Sequence, residues 1–169
     1  MFQIGDTVIH PGYGVGIVLG IGKLHGLGSD KLYYMIELSD ESKTRVWVSI
    51  GDAGHKGVRH LTPMSQLGQV WCVLRAGPET LSPDHDKRNE SLQEKLRGGD
   101  VLRVAEVVRD MFWENHRARK LTIIGRELYD RGLMLLTGEV AAVRGCDLAV
   151  ARAEISDILG ASVAIGSVA

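Results

Sequence analysis

Gly98-Gly99-Asp100-Val101-Leu102-Arg103-Val104-Ala105-Glu106-Val107-Val108-Arg109-Asp110-Met111-Phe112-Trp113, followed after a short basic stretch by Lys120-Leu121-Thr122-Ile123-Ile124-Gly125-Arg126-Glu127-Leu128-Tyr129-Asp130-Arg131-Gly132-Leu133-Met134-Leu135-Leu136, decides the fold class. Both segments carry apolar residues at helical spacing. Val101, Val104, Ala105, Val108, Met111 and Phe112 form one stripe, and Ile124, Leu128, Leu135 and Leu136 form the next. The double glycine breaks any preceding helix. Asp100 and Thr122 are suited to cap the helices that follow, because a short oxygen-bearing side chain can accept the orphan amides of a first turn. The pair predicts two amphipathic helices joined by a basic turn.

The same grammar extends on both sides. Downstream, Gly145 stops the second helix, and Asp147 opens a last one with Leu148, Ala151, Ile155, Ile158 and Leu159 inside and Gly160 just past its end. Upstream, Thr62-Pro63 is a helix start, with Met64, Leu67, Val70, Trp71 and Leu74 following at helical spacing as far as Gly77-Pro78. Trp71 is expected in the core and Trp113, at a helix end, partly exposed. The polar stretch Ser82 to Arg97 predicts a further helix beginning near Ser82-Pro83. The back of the chain is thus a bundle of four or five helices.

The front has strand grammar. Val8-Ile9, Val15 to Leu19, Leu32 to Leu38 and Val46-Trp47-Val48 are short β-prone runs. Turn formers separate them at Pro11-Gly12, Gly26 to Asp30 and Asp40 to Lys43. Tyr33, Met35 and Glu37 alternate against Tyr34, Ile36 and Leu38, the period of a half-buried strand. The expected class is α+β: a small curled barrel over residues 1–62, an all-α domain over 63–160, and a flexible tail over 161–169.

Composition narrows the function. With 20 basic and 21 acidic residues the net charge is -1, so any nucleic-acid contact must come from a local patch. Two distant cysteines, Cys72 and Cys146, predict neither a disulfide framework nor a zinc site. The first residues lack a secretory pattern, and no apolar run approaches the ~18 residues that cross a bilayer; a cytoplasmic protein is expected. Gly12-Tyr13-Gly14-Val15-Gly16 is not a phosphate loop, because a strand rather than a helix follows it. The six histidines show no metal-ligand spacing, and His10, before a proline at a strand end, reads as structural. Ser82, Asp84, His85 and Asp86 are crowded on one segment, whereas a catalytic triad converges from separate elements. No enzyme activity, cofactor, metal or small-molecule substrate is expected.

Basic residues are the stronger lead: Lys87, Arg88, Lys95 and Arg97 on one segment, and Arg117, Arg119, Lys120 and Arg126 about the next junction. They read either as a patch for a duplex backbone or as a salt-bridged face, since Asp84, Asp86, Glu90 and Glu94 are interleaved. Arg45 and Trp47 alternate on one strand and so share a face, the composition of a protein-binding hot spot; Trp47 as core filler is the competing reading.

The order and spacing of several motifs resemble the CarD/CdnL family of bacterial transcription regulators, over nearly the whole chain from Phe2 to Leu159. The motifs are Phe2-x-Ile4-Gly5-Asp6-x-Val8-x-His10-Pro11 with Gly14 and Gly16, then Gly57-Val58-Arg59 and Val73-Leu74-Arg75. Leu96-x-x-Gly99-Asp100 follows, with Val104-Ala105-Glu106-Val107-Val108-Arg109-Asp110, Leu121-Thr122 and Glu139 after it. The resemblance implies a Tudor-like (SH3-like) barrel that docks on the RNA polymerase β subunit. It also implies a helical domain that touches promoter DNA at the upstream edge of the transcription bubble, a tryptophan wedging the minor groove to stabilise the open promoter.

Where the family has the wedge tryptophan, a gapless count back from Gly99-Asp100 finds His85. Lys87 and Arg88 stand at basic positions, Glu90 replaces one, and Arg126 occupies another. On the barrel, Lys23 or Leu24 and Trp47 stand for two arginines, with Arg45 nearby, and the usual Val-Pro reads Val48-Ser49. The expected polymerase face is therefore Lys23, Arg45 and Trp47, and the expected DNA face His85, Lys87, Arg88 and Arg126 with Lys120 nearby, in a nucleoid-associated protein. Two rivals stay open: a polymerase-docking adaptor without DNA wedging, and a protein-binding module outside transcription. Open sheet edges also leave a domain-swapped dimer open.

Overall fold

The computed structural model describes residues 1–24, 31–39, 42–118 and 120–166. The expected turn at Gly26 to Asp30, residues 40 and 41 of the next turn, Arg119 and the last three residues lie outside them. The chain divides into two compact units, Met1–Leu61 and Thr62–Ala169.

The first unit is an antiparallel sheet of β1 (Thr7–His10), β2 (Gly14–Lys23), β3 (Leu32–Leu38), β4 (Arg45–Ser49) and β5 (Arg59–His60), in the order β4-β3-β2-β1-β5. The apolar alternation decides which face is covered. Val8, Val18, Tyr34, Ile36, Leu38 and Val48 pack inward together with Ala53 and Val58. The Gly12–Gly16 stretch is a strand turn, as its sequence implies. Gly14 has φ +82°, a left-handed conformation that suits glycine. A Cβ on Gly16 would stand 2.6 Å from Ile36 Cγ2 and 2.9 Å from the Glu37 carbonyl oxygen, so only glycine lets β2 and β3 approach here. The β2–β3 register shifts between Val18 and Gly20, a bulge at Leu19. His10 closes the turn: its Nδ1 accepts the Gly12 N–H at 3.0 Å and its ring lies 4.7 Å from that of Tyr13.

The second unit opens with a 3-10 turn at Met64–Gln66 and continues as α1 (Leu67–Arg75), α2 (His85–Gly98), α3 (Val101–Ala118), α4 (Ile123–Arg144) and α5 (Leu148–Gly166). The caps follow from the residues. Asp84 accepts the amides of Asp86 and Lys87, Asp100 those of Leu102 and Arg103, and Thr122 that of Gly125. Gly99 and Gly145 end α2 and α4 at φ +69° and +63°. Helix α3 packs against α1, α2 and α4. Gly132 brings α4 close to α3, since a Cβ there would stand 3.1 Å from Val108 Cγ2.

Several expectations are corrected. Trp113 is buried, at 8% exposure, and Phe112 only half-buried. A helix covered by three neighbours buries more than one stripe, so Val107, Arg109 and Asp110 are buried as well. Trp71 packs against the core from its edge. Met64, Ile124 and Leu148 are exposed, each within the first turn of its element, where neighbours no longer cover the apolar face. The stop at Gly160 and the flexible tail do not hold for residues 161–166. Helix α5 continues through them, Ser162 and Val163 are buried, and the Ser162 hydroxyl donates to the Leu159 carbonyl at 2.7 Å.

Candidate functional site

Register separates the three residues expected on the polymerase face. Arg45 pairs with Glu37 and Trp47 with Met35, while Ile17 pairs with Glu37 and Gly20 with Met35. These residues share the outer face of the sheet, opposite the core. Lys23 pairs with Leu32, two places along β3 from Tyr34, and so belongs to the other face. Trp47 is 41% exposed on the edge strand β4, beside Met35 of β3, and Arg45 Nε donates to Glu37 Oε2 at 3.2 Å in the neighbouring row, with exposed Ile17 of β2 across Glu37. Trp47 is therefore not core filler. The β3 alternation grouped Met35 with Tyr33 and Glu37, and the structure shows that this set faces away from the core. Ile17 had no such grouping, because the run Val15 to Leu19 is apolar throughout.

The residues expected on the DNA face are only partly brought together. His85 opens α2 and its Nδ1 contacts Arg88 Nη2. Arg88 is only 13% exposed and is drawn back to Glu114 on α3, 3.4 Å away. Lys87 is exposed between them, as are Asp84, Asp86 and Glu90. Lys120 and Arg126 stand exposed at the start of α4. Among the described residues the side chains of Lys87, Lys120 and Arg126 have no hydrogen-bond or ion-pair partner. The other basic residues are committed elsewhere. Lys95 is held by Glu79 and Glu106 at 2.9 and 2.8 Å, Arg97 bonds Gln93 at 3.3 Å, and Arg117 lies 5.4 Å over the Trp113 ring. Arg119 lies outside the described residues.

Behind this surface is a charged lock that the sequence did not reveal. The Glu79 amide donates to Asp110 Oδ1 at 3.0 Å, Arg109 pairs with Asp110 at 2.8 Å, and Glu79 also faces Arg109 and Lys95. The lock ties the segment between α1 and α2 to α3. Burial pushes the Asp110 carboxyl above the usual range, opposed by its bond from Arg109. Burial works against the Lys95 ammonium, but hydrogen bonds to Glu106 and Glu79 outweigh it and raise it. Asp110 Oδ2 and Trp113 Nε1 are buried without a hydrogen-bond partner among the described residues.

Ser82 Oγ accepts the Asp84 amide and Asp84 caps α2, the solvated helix start the sequence implied. No group of three metal-ligating side chains occurs among the described residues, and none of the described helices is long and apolar enough to cross a membrane. Between α2 and α4 lies a shallow cleft of about 260 Å³ lined by Gln93, Arg97, Ile124, Glu127, Leu128 and Arg131.

Comparison with known proteins divides the chain in the same way. Residues 2–62 match the CarD-like/TRCF RID domain, a Tudor-like fold, and residues 69–156 match the CarD C-terminal domain. The chain is 25% identical over 145 residues to "Putative transcription factor YdeB" of Bacillus subtilis (strain 168), covering 86% of this chain and 94% of that protein. With one family model spanning residues 69–156 and its companion the sheet unit, the chain belongs to the CarD family of transcription regulators.

Proposed function

We propose that this protein regulates transcription by docking on the β subunit of RNA polymerase through the outer face of its sheet, and by touching promoter DNA near the upstream edge of the bubble through its helical unit. The carrying observation is the exposed Trp47 on the edge strand β4, with half-buried Met35 beside it on β3 and Arg45 two residues along β4 on the same outer face. RID-type domains are typical polymerase-interacting modules, which supports a partner in the transcription machinery. An exposed aromatic with an arginine beside it is the composition that dominates binding energies at such surfaces. Lys87, Lys120 and Arg126 are free to neutralise phosphates. Such a protein works in the cytoplasm at the nucleoid.

The test is binding of the whole protein to an isolated β-subunit lobe. Trp47→Ala is expected to weaken it about 30-fold, the equivalent of ~2 kcal/mol for a hot-spot aromatic. Lys23→Ala, on the opposite face by register, is expected to change it little. Binding that is indifferent to Trp47 and Arg45 would refute the docking face.

A second reading keeps polymerase docking without the minor-groove wedge at α2. It is favoured by His85, whose ring is occupied with Arg88, and by the acidic residues Asp84, Asp86 and Glu90 around it. A His85→Trp variant that lengthens open-complex lifetime would support this second reading.

A further inference from the structure

The apolar residues left uncovered on the helical unit include a pair that the fold does not need. Ile123 and Ile124 open α4 at 81% and 45% exposure. Neither belongs to the core, and β-branched residues are indifferent helix formers. A lone exposed isoleucine is ordinary, but two adjacent ones in a cationic setting are not. Lys120 precedes the pair by three residues and Arg126 follows Ile123 by three, one turn along the same side of the helix. Ile124 lines the cleft together with Arg97 of α2 and with Arg131 and one acid, Glu127, of α4. The amino end of a 22-residue helix adds its positive dipole.

The start of α2, where the family places its wedge, has the opposite character. Asp84, Asp86 and Glu90 surround Lys87, and Arg88 is turned inward to Glu114.

We infer that the Ile123–Ile124 pair, with Lys120 and Arg126 on the phosphates, is the apolar edge this protein sets against duplex DNA at the bubble junction. The inference rests on the DNA-contact reading given above. Charge selects the occupant: Arg97, Lys120, Arg126 and Arg131 outnumber Glu127 and Asp130 around the pair, in a chain of net charge -1. That complements a polyanion rather than an apolar protein groove. An isoleucine stiff at χ1 loses little freedom on insertion, and apolar side chains pressed on a base step are the means by which minor-groove proteins hold distorted DNA.

The test uses the full-length protein and a forked A·T-rich promoter fragment carrying 2-aminopurine at the base step beside the fork, across a salt titration. Ile123→Ser is expected to weaken binding about tenfold and to remove the 2-aminopurine signal with the salt slope unchanged, while Ile123→Leu restores both. Lys120→Ala with Arg126→Ala should lower the salt slope by about one per phosphate lost. If binding depends on Lys120 and Arg126 but Ile123→Ser behaves as wild type, the inference fails and the DNA-contact reading survives. If wild type does not bind the fork at low salt, both fall. If Ile123→Ser instead abolishes polymerase binding without DNA, the surface belongs to a protein partner and the inference is overturned.

Discussion

The two units solve burial differently. Among the described residues the sheet unit gathers eight into its core, and on the opposite face it leaves Ile17 and Trp47 in solvent. The helical unit gathers twenty-one, and α3 at its centre also encloses Arg109 and Asp110. A single sheet has two faces and can cover one with its own short chain. A central helix with three neighbours is covered nearly all round. The sheet unit thus has an apolar face to offer a partner, whereas the large apolar residues exposed on the helical unit stand mostly in first turns, which outrun their neighbours, with Met134 in the middle of α4.

The buried charges of the helical unit are its most sensitive point. Arg109→Met leaves Asp110 buried without its cation and is expected to cost about 3–5 kcal/mol, read as a fall in thermal midpoint. The deficit should shrink on acidification. The Asp110 carboxyl is already above the ordinary range when folded, and losing Arg109 raises it further. Between that value and the unfolded one the folded state holds the extra proton, so stability rises as pH falls through this window. A deficit that is flat or grows between neutral pH and about pH 5 would contradict the placement of Asp110.

On the sheet side, Gly16→Ala forces a methyl group onto Ile36 and the Glu37 backbone and is expected to cost about 2–3 kcal/mol. Hydrogen exchange should show the loss in β2 and β3, with α3 unchanged; a uniform loss would mean the units do not differ in this way. Thr122→Ala removes the cap of α4, expected at about 1 kcal/mol with faster exchange confined to its first turn.

The smallest effect belongs to His10. Burial first, and then the Lys56 charge, hold its ring below the ordinary histidine range. The folded ring stays neutral where the unfolded one takes a proton. Stability is therefore lost as pH falls through the ordinary histidine value and levels off below the folded one. His10→Gln should flatten that part of the stability profile; an unchanged slope would show that His10 does not cause it.

Local chemistry was legible in the residues. Asp100 and Thr122 announced helix starts, Gly99 and Gly145 helix ends, and the β3 alternation two opposed faces, whereas α2 begins at His85 behind the Asp84 cap rather than near Ser82-Pro83. The motif series pointed to the family. The sites were less legible. Arg45 and Trp47 share a face because alternation is local, but Lys23 was grouped with them although register places it opposite, and register across the bulge at Leu19 is not written in either strand alone. Arg88 and Lys87 look alike in sequence, yet one is paired with Glu114 and the other is free. That difference depends on α3 lying beside α2.

What the sequence by itself determined is the set of elements and the polarity of their faces, because capping, turn chemistry and periodicity act over a few residues. What only the tertiary structure decided is which polar and apolar side chains remain available. Trp113 went inside, Ile123 was left outside, and Lys95 and Arg109 were consumed in a lock with Glu79. Exposure and pairing are set by neighbours from distant parts of the chain, and a periodic pattern does not specify which neighbours those are.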